Sequence, residues 1–496
     1  MKNLLLVSAL TFVLIMCSHD AFSDEVLDSI FVDNHNNAKN LFLGIKNEVS
    51  AKGSRVKFAG NMVSYGWYSS ADSKDSEKII NNNKRFNVDI GGNVGNIGAK
   101  HDGMLSLGID LKPDKYGVIY GVYSQIHIPH VEGKSFGNNA AFNRGSKIFA
   151  KTPYGDFSVG YQEGIESIMK LNAFSVIAGD NYNIWTKHLR NILYDMKDVS
   201  GYFVYCLNFY SGLYSESFFR NSDNIVTGVM AGTFINNLPF RLSYQSQNFM
   251  GLRFGVSYSP FGYDRELSEM PQINFNNVIK YVEENDFGGN RYITMPYGGY
   301  ALPLILIGPS YIHIISGGIS YTYNFKNFKF STSIIGEYGG EDVFPGSMER
   351  YKVYFKHHKL KGISVGWNIG YNTIEFAGSY GNLNRSGIPY ARCSASIYCR
   401  SYWTLSEDID YYWDIGIAYK YGDLKLSLIY FTSNRIGNKL NDISVGIEYN
   451  ILRYNRFRNS VFANYHYYTF NQFEHDYKNT RNGKGSVLLV GTKLEF

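Results

Sequence analysis

The sequence predicts an all-β protein: a transmembrane antiparallel β-barrel of about 16 strands, with short periplasmic turns and long extracellular loops. The strongest observation is the closing segment 486–496. Phe496, Leu494, Thr492, Val490 and Leu488 share one face of an extended chain, while Glu495, Lys493 and Gly491 share the other. An apolar face against a polar one at period two suits a wall between lipid and water. The second observation is composition, with 42 Tyr, 34 Phe and 50 Gly but only 11 Pro in 496 residues. Aromatics at that level favour strands and interfacial girdles. The third is that no apolar run of about 18 residues follows the N-terminus, so no membrane-spanning helix is indicated. A mean hydropathy of −0.23 fits a barrel, whose strands give only alternate residues to lipid. Closure is what allows strands to cross a bilayer, because it satisfies every backbone donor and acceptor.

Residues 1–23 read as a signal peptide: Lys2 supplies the charge, Leu4 to Met16 the apolar run, and Ala21-Phe22-Ser23 the small-residue cleavage site. Cys17 follows Leu14-Ile15-Met16, a poor lipoprotein site. Residues 24–54 read as an N-terminal periplasmic segment, a short helix or a linker. Residues 55–496 form the barrel domain. Val56–Tyr68 opens it. Leu105–Leu111 pairs with Val118–Ile126, Lys147–Thr152 with Phe157–Gln162 across Pro153-Tyr154-Gly155-Asp156, and Phe240–Gln245 with Leu252–Ser259. Four further hairpins follow: 317–323 with 328–338, 363–371 with 373–380, 413–421 with 424–430, and 443–450 with 461–470. The Gly422-Asp423 turn between strictly alternating runs is the clearest of them. The terminal strand closes the count at sixteen. Turns at one end are short. At the other, the loops run over 69–100, 129–144, 163–237, 261–312, 339–359, 382–409, 434–440 and 471–485. Residues 201–214 and 225–235 are strand-like too, and counting them would give eighteen; they are placed in the long loop.

A net charge of +5 gives no reason to expect nucleic acid as a partner. Cys393 and Cys399 lie in a loop-like stretch of an exported chain, so a disulfide between them is plausible. No zinc site, metal site or cofactor is implied. His127/His130 and His357/His358 diverge in direction on an extended chain. Gly92-x-x-Gly95-x-x-Gly98 lacks the strand–turn–helix setting of a nucleotide site. A lipid hydrolase needs a Ser–His pair with an orienting group; His466 is the histidine to consider, but no nucleophile motif accompanies it. The chain is therefore expected not to be an enzyme.

Two stretches resemble the Gram-negative general porins. The run from Arg144 through Lys147, Lys151, Tyr154, Gly155, Asp156, Gly160 and Tyr161 to Gln162 is similar to the hairpin before their third loop. The run from Phe240 and Arg241 through Tyr244 and Phe249 to Gly251 is similar to the strand and turn after it. The motifs are short and degenerate but extend over most of the barrel. The resemblance implies a sixteen-stranded homotrimer in the outer membrane, with a third loop folded inward within 163–237 to constrict a water-filled channel. Gly155 and Gly160 would then hold the turn and the loop entrance. Glu163 and Glu166 would be the first acidic residues of the constriction. Tyr161 stands where family members often carry Arg. The C-terminal Phe496 resembles the signal by which the barrel assembly machinery recognises outer-membrane proteins.

Alternation turns Lys57, Lys147, Lys151, Arg241 and Arg253 toward the lumen as a basic wall. Asp110, Glu337, Glu375, Asp414, Glu448 and Glu495 face the same way. Mixed charge implies a wet pore, since unpaired ions in a packed interior are prohibitively costly. Carboxylates of the loop facing the basic wall would set a transverse field that filters ions and small hydrophilic solutes. Trp67, Tyr68, Trp413, Tyr419, Tyr421 and Tyr467 are candidate girdle residues at the lipid headgroups; Trp403 sits in a loop. The long loops leave a second reading open, a barrel that serves mainly as an anchor for surface interaction or adhesion. Pro296–Pro309 is unusually apolar for such a loop.

Overall fold

A computed structural model describes residues 47–51, 54–71, 97–129, 142–179, 184–189, 211–213, 238–261, 311–341, 353–386, 389–393, 409–435, 438–454, 457–473 and 480–496. The strands in chain order are β1 (Asn47–Ala51), β2 (Ser54–Ala71), β3 (Ile97–Asp110), β4 (Ile119–Pro129), β5 (Phe142–Thr152), β6 (Gly155–Tyr161), β7 (Phe240–Ser246), β8 (Leu252–Phe261), β9 (Tyr311–Phe325) and β10 (Phe328–Glu341). They continue as β11 (Val353–His357), β12 (Leu360–Tyr371), β13 (Ile374–Asn384), β14 (Pro389–Cys393), β15 (Asp410–Tyr421), β16 (Leu424–Arg435), β17 (Asn438–Tyr454), β18 (Phe457–Phe473) and β19 (Thr480–Glu495). Leaving aside β1 and the separate β11–β14 pair, sixteen strands run antiparallel to their neighbours, and β19 closes on β2. β6 pairs directly with β7, so the two strands flanking the long loop are neighbours in the wall.

The alternation works as expected. Val122, Ile148, Val256, Ile334, Val445 and Val490 are exposed outward around the circumference. Their inward neighbours include Gln125, Ser257, Ser333, Ser444 and Lys493, all buried. Tyr68, Trp413, Tyr419, Tyr421 and Tyr467 face outward. Trp67 does not: only 4% exposed, it points into the barrel. The short turns take the residues their geometry demands, as at Gly422, where φ is +57°. Two expected loops shrink. β16 and β17 continue through most of 434–440, leaving only 436–437 between them, and β18 and β19 reduce 471–485 to 474–479. Cys393 ends β14 opposite Val353. Cys399, Trp403, the 1–23 segment and Pro296–Pro309 lie outside the described residues.

Within 24–54, the described residues form strand β1 against Ser54–Phe58 of β2. That is the same edge of β2 that β19 occupies farther along, from Asn61 to Ala71. Between the two, Phe496 and Gly60 exchange backbone hydrogen bonds of 3.0 and 3.1 Å. β1 thus takes up the seam where the C-terminal strand stops.

The wall is uneven in height. β6 and β7 have seven residues each, whereas β17 and β18 have seventeen. A tilted strand needs about 9–11 residues to span the hydrocarbon. Over the low side, the outer faces of β3 to β8 form an apolar hollow of about 790 Å³ lined by Val122, Ile148, Phe157, Leu242 and Val256.

Candidate functional site: an inward loop fastened to the lumen wall

Immediately after β6 the chain turns into the barrel. The Gln162 side chain holds the root, accepting from Ser158 Oγ at 2.8 Å and donating to the Arg241 carbonyl at 3.1 Å. A single helical turn, α1 (Ile165–Ile168), follows. The Glu166 carboxylate on α1 meets the Arg241 guanidinium through Oε1–Nη2 at 3.0 Å and Oε2–Nη1 at 3.3 Å, with both side chains about 1% exposed. Ser316 on β9 also hydrogen-bonds Glu166, and Ser257 on β8 accepts from the Ile165 N–H at 3.2 Å. A Cβ at Gly164 would overlap both the guanidinium and the carboxylate, so the pair requires glycine there.

The described part of the loop then follows the wall. A 3-10 turn, Ala173–Val176, packs on β13 and β15. Asp414 accepts from the Ala173 N–H at 2.7 Å, from Ser379 at 2.7 Å and from Ser211, which returns from later in the loop. Next, Ser427 accepts from Ala178 N–H at 2.8 Å and Glu448 from Gly179 N–H at 2.9 Å. Lys425 donates to the Ile177 carbonyl at 3.0 Å, and the Asn464 amide to the Ala178 carbonyl at 2.5 Å. Polar wall residues thus satisfy a buried irregular backbone that has no ladder of its own.

A second 3-10 turn, Ile184–His188, lies against β18, β19 and β2. Trp185 stacks on His466 at 4.7 Å, and His466 Nδ1 lies 3.0 Å from Asp442. His188 stacks on Trp67 at 4.3 Å and hydrogen-bonds Tyr65 OH at 3.2 Å. Around these rings the inward face is apolar: Val63, Phe431, Phe462, Val487 and Leu489 form one buried cluster with Phe174, Ile177 and Trp185. This explains Trp67, whose partner is the loop and not a lipid headgroup. The His466 ring, fully buried beneath Trp185, is closed to substrate.

Gly179 is the sharpest constraint in this path. Its φ is +88°, and a Cβ there would stand 2.7 Å from the Phe462 Cβ. Gly179→Val is therefore expected to free the loop's far half. Rates of protease cleavage in 163–237 of the folded barrel should rise, and an unchanged digestion pattern would refute that fastening.

The expected basic wall divides. Arg241 is buried against Glu166, so these two charges cancel out of contact with open water. Glu163, 7% exposed, accepts from Ser167 at 3.1 Å and faces Lys147 electrostatically. Lys57 and Lys151 share Asp110, at 2.8 and 3.6 Å. Arg253 stays exposed on the lumen face of β8. Wall partners of the loop such as Ser427, Asn464 and Tyr65 carry no signature in the sequence, since any polar inward residue fits the alternation. Among the described residues no group of His, Cys, Asp and Glu is arranged to hold a metal ion.

A family model described as Gram-negative porin matches residues 50–472. An uncharacterised protein of Rickettsia bellii is 25% identical over 376 residues, covering 71% of this chain and 76% of its own. One of Rickettsia conorii is 24% identical over 373 residues, with the same coverage. Among solved structures, an anion-selective porin from Comamonas acidovorans aligns with 89% of this chain and all of its own at 12% identity and a TM-score of 0.46. Salmonella typhi OmpF aligns with 90% of this chain and all of its own at 10% identity and a TM-score of 0.45.

Proposed function

The chain belongs to the Gram-negative porin family, and from that membership we propose that it acts as an outer-membrane homotrimer passing ions and small hydrophilic solutes by passive diffusion. The observation that carries the reading is a closed sixteen-strand barrel, apolar outside and charged within, narrowed by a loop fastened to its inner wall. Selection then rests on pore width and fixed charge, and no chemical step is needed. Glu166 and Arg241 serve as the anchor of the constriction. Glu163 and Lys147 lie nearer its rim and supply charge there.

The homotrimer is supported by the low side of the wall. Seven-residue strands do not span the hydrocarbon alone, and a second copy covering the apolar hollow over β3 to β8 removes that mismatch. Export through the 1–23 signal peptide and insertion by the barrel assembly machinery through Phe496 complete the reading. Surrounding outer-membrane lipid is the barrel's other partner.

Purified full-length protein in a planar bilayer is expected to open in steps of three, with conductance rising nearly linearly with salt. A folded, heat-resistant barrel that passes no current would overturn the channel and favour the anchor with interacting loops.

A further inference from the structure

We propose that this channel prefers small inorganic anions over cations, because the uncompensated charge on the periplasmic half of its lumen is positive. The inference rests on the channel reading above. With Glu166 cancelled by Arg241, the charges left between the inward loop and the short turns fall into three groups among the described residues.

On the arc from β2 to β8, five cations stand against three carboxylates, and Glu48 of β1 is a fourth, opposite Lys57 in register. Asp110 is paired across the strands with Arg55 and bridged by Lys57 and Lys151. Asp156 faces Lys147, Lys151 and Arg253, and Glu163 faces Lys147. On β10, Lys329 has no carboxylate partner among the described residues. On the arc from β13 to β19, five cations stand against three carboxylates. Lys420 bridges Glu375 at 2.9 Å, Lys493 bridges Glu448 at 3.0 Å, and Arg458 bridges Glu495. The surplus charges of that arc are Lys425, held against the Ile177 carbonyl, and Arg453, cross-strand from Arg458.

The carboxylates that could restore balance lie elsewhere: Glu337, 6% exposed, stands opposite Ser316 at the level of the loop root. Asp414 and Asp442 sit in the outer half behind the inward loop, 3% and 0% exposed, closed off by Ser211, Ser379, the Ala173 N–H and His466. Their charge is consumed in fastening the loop. Among the described residues the periplasmic half thus carries eleven cations against seven carboxylates, an excess of four positive charges on a low-dielectric wall, which concentrates the field on permeating ions. Lumen rings of Arg and Lys are the recognised basis of anion preference.

The test is the reversal potential of the full-length protein in a planar bilayer under a KCl gradient. The expected sign is that of chloride permeating faster than potassium, with the preference weakening as salt rises. The double variant R253E/K329E reverses two lumen charges, one exposed and one half-buried, that form no salt bridge among the described residues, and cancels the excess of four. Its chloride-to-potassium permeability ratio should fall to one or below, with trimer heat resistance unchanged. Cation preference in the unaltered protein, or a ratio that the double variant leaves in place, overturns the inference while the channel stands. Absence of current overturns both.

Discussion

Arg241→Met is expected to be the most damaging single change in the barrel. It leaves the Glu166 carboxylate buried at 0% exposure without its counter-charge. Breaking a buried ion pair from one side costs about 3–5 kcal/mol, because the remaining charge stays desolvated. The root of the inward loop should then lift from β7, β8 and β9, so that conductance becomes noisy and larger. The heat needed to unfold the barrel in detergent should fall. The double variant R241M/E166Q removes both charges and should recover most of that heat resistance, since uncharged replacements for a buried pair are often nearly neutral. Arg241→Lys keeps a charge but loses the two-pronged geometry and should fall between. A single variant unfolding at the temperature of the unaltered protein would mean that the pair anchors nothing.

Phe496 is expected to be the second. Its ring packs against Phe58 at 5.3 Å and Phe457 at 5.7 Å, and its backbone makes both seam hydrogen bonds to Gly60. Two aromatic pairs contribute about 1–3 kcal/mol together. Deleting Phe496 removes these and the terminal bonds at once. The expected result is a sharp loss of heat-modifiable barrel from outer-membrane fractions, with unfolded chain accumulating in the periplasm. Gly60→Val should produce a milder form of the same defect, because a Cβ at Gly60 lies 2.6 Å from the Phe496 ring. Normal folded yield after the deletion would show that the seam closes without its last residue.

Both sites divide along the line between what the sequence discloses and what it hides. The wall is legible because its rule is local: one face meets lipid and the other does not, so Leu488 and Val490 announce themselves against Lys493 and Glu495. The short turns are legible for the same reason. The inward loop obeys no period, and its partners lie far along the chain. Glu166 and Arg241 are 75 residues apart, and Ala178 and Asn464 are 286 apart. Glu166 reads as a pore carboxylate until Arg241 and two serines close over it. Trp67 reads as a girdle residue because period two cannot register that the outer half of the lumen is packed with a second layer of chain. The same packing turns Leu489, Val487 and Phe431 into core residues on the nominally wet face.

The strand that precedes the barrel has a consequence for how the cylinder is gauged. β19 could slide along β2 by two residues and keep every side chain on its proper face, so hydrophobic patterning alone does not forbid the error. Such a slide toward the periplasm would bring Phe496 opposite Phe58, a place already taken by Asn47 of β1. The N-terminal strand is thus an end stop. It converts an ambiguous zipper into one with a single final tooth, and so fixes the stagger on which the diameter of the barrel depends.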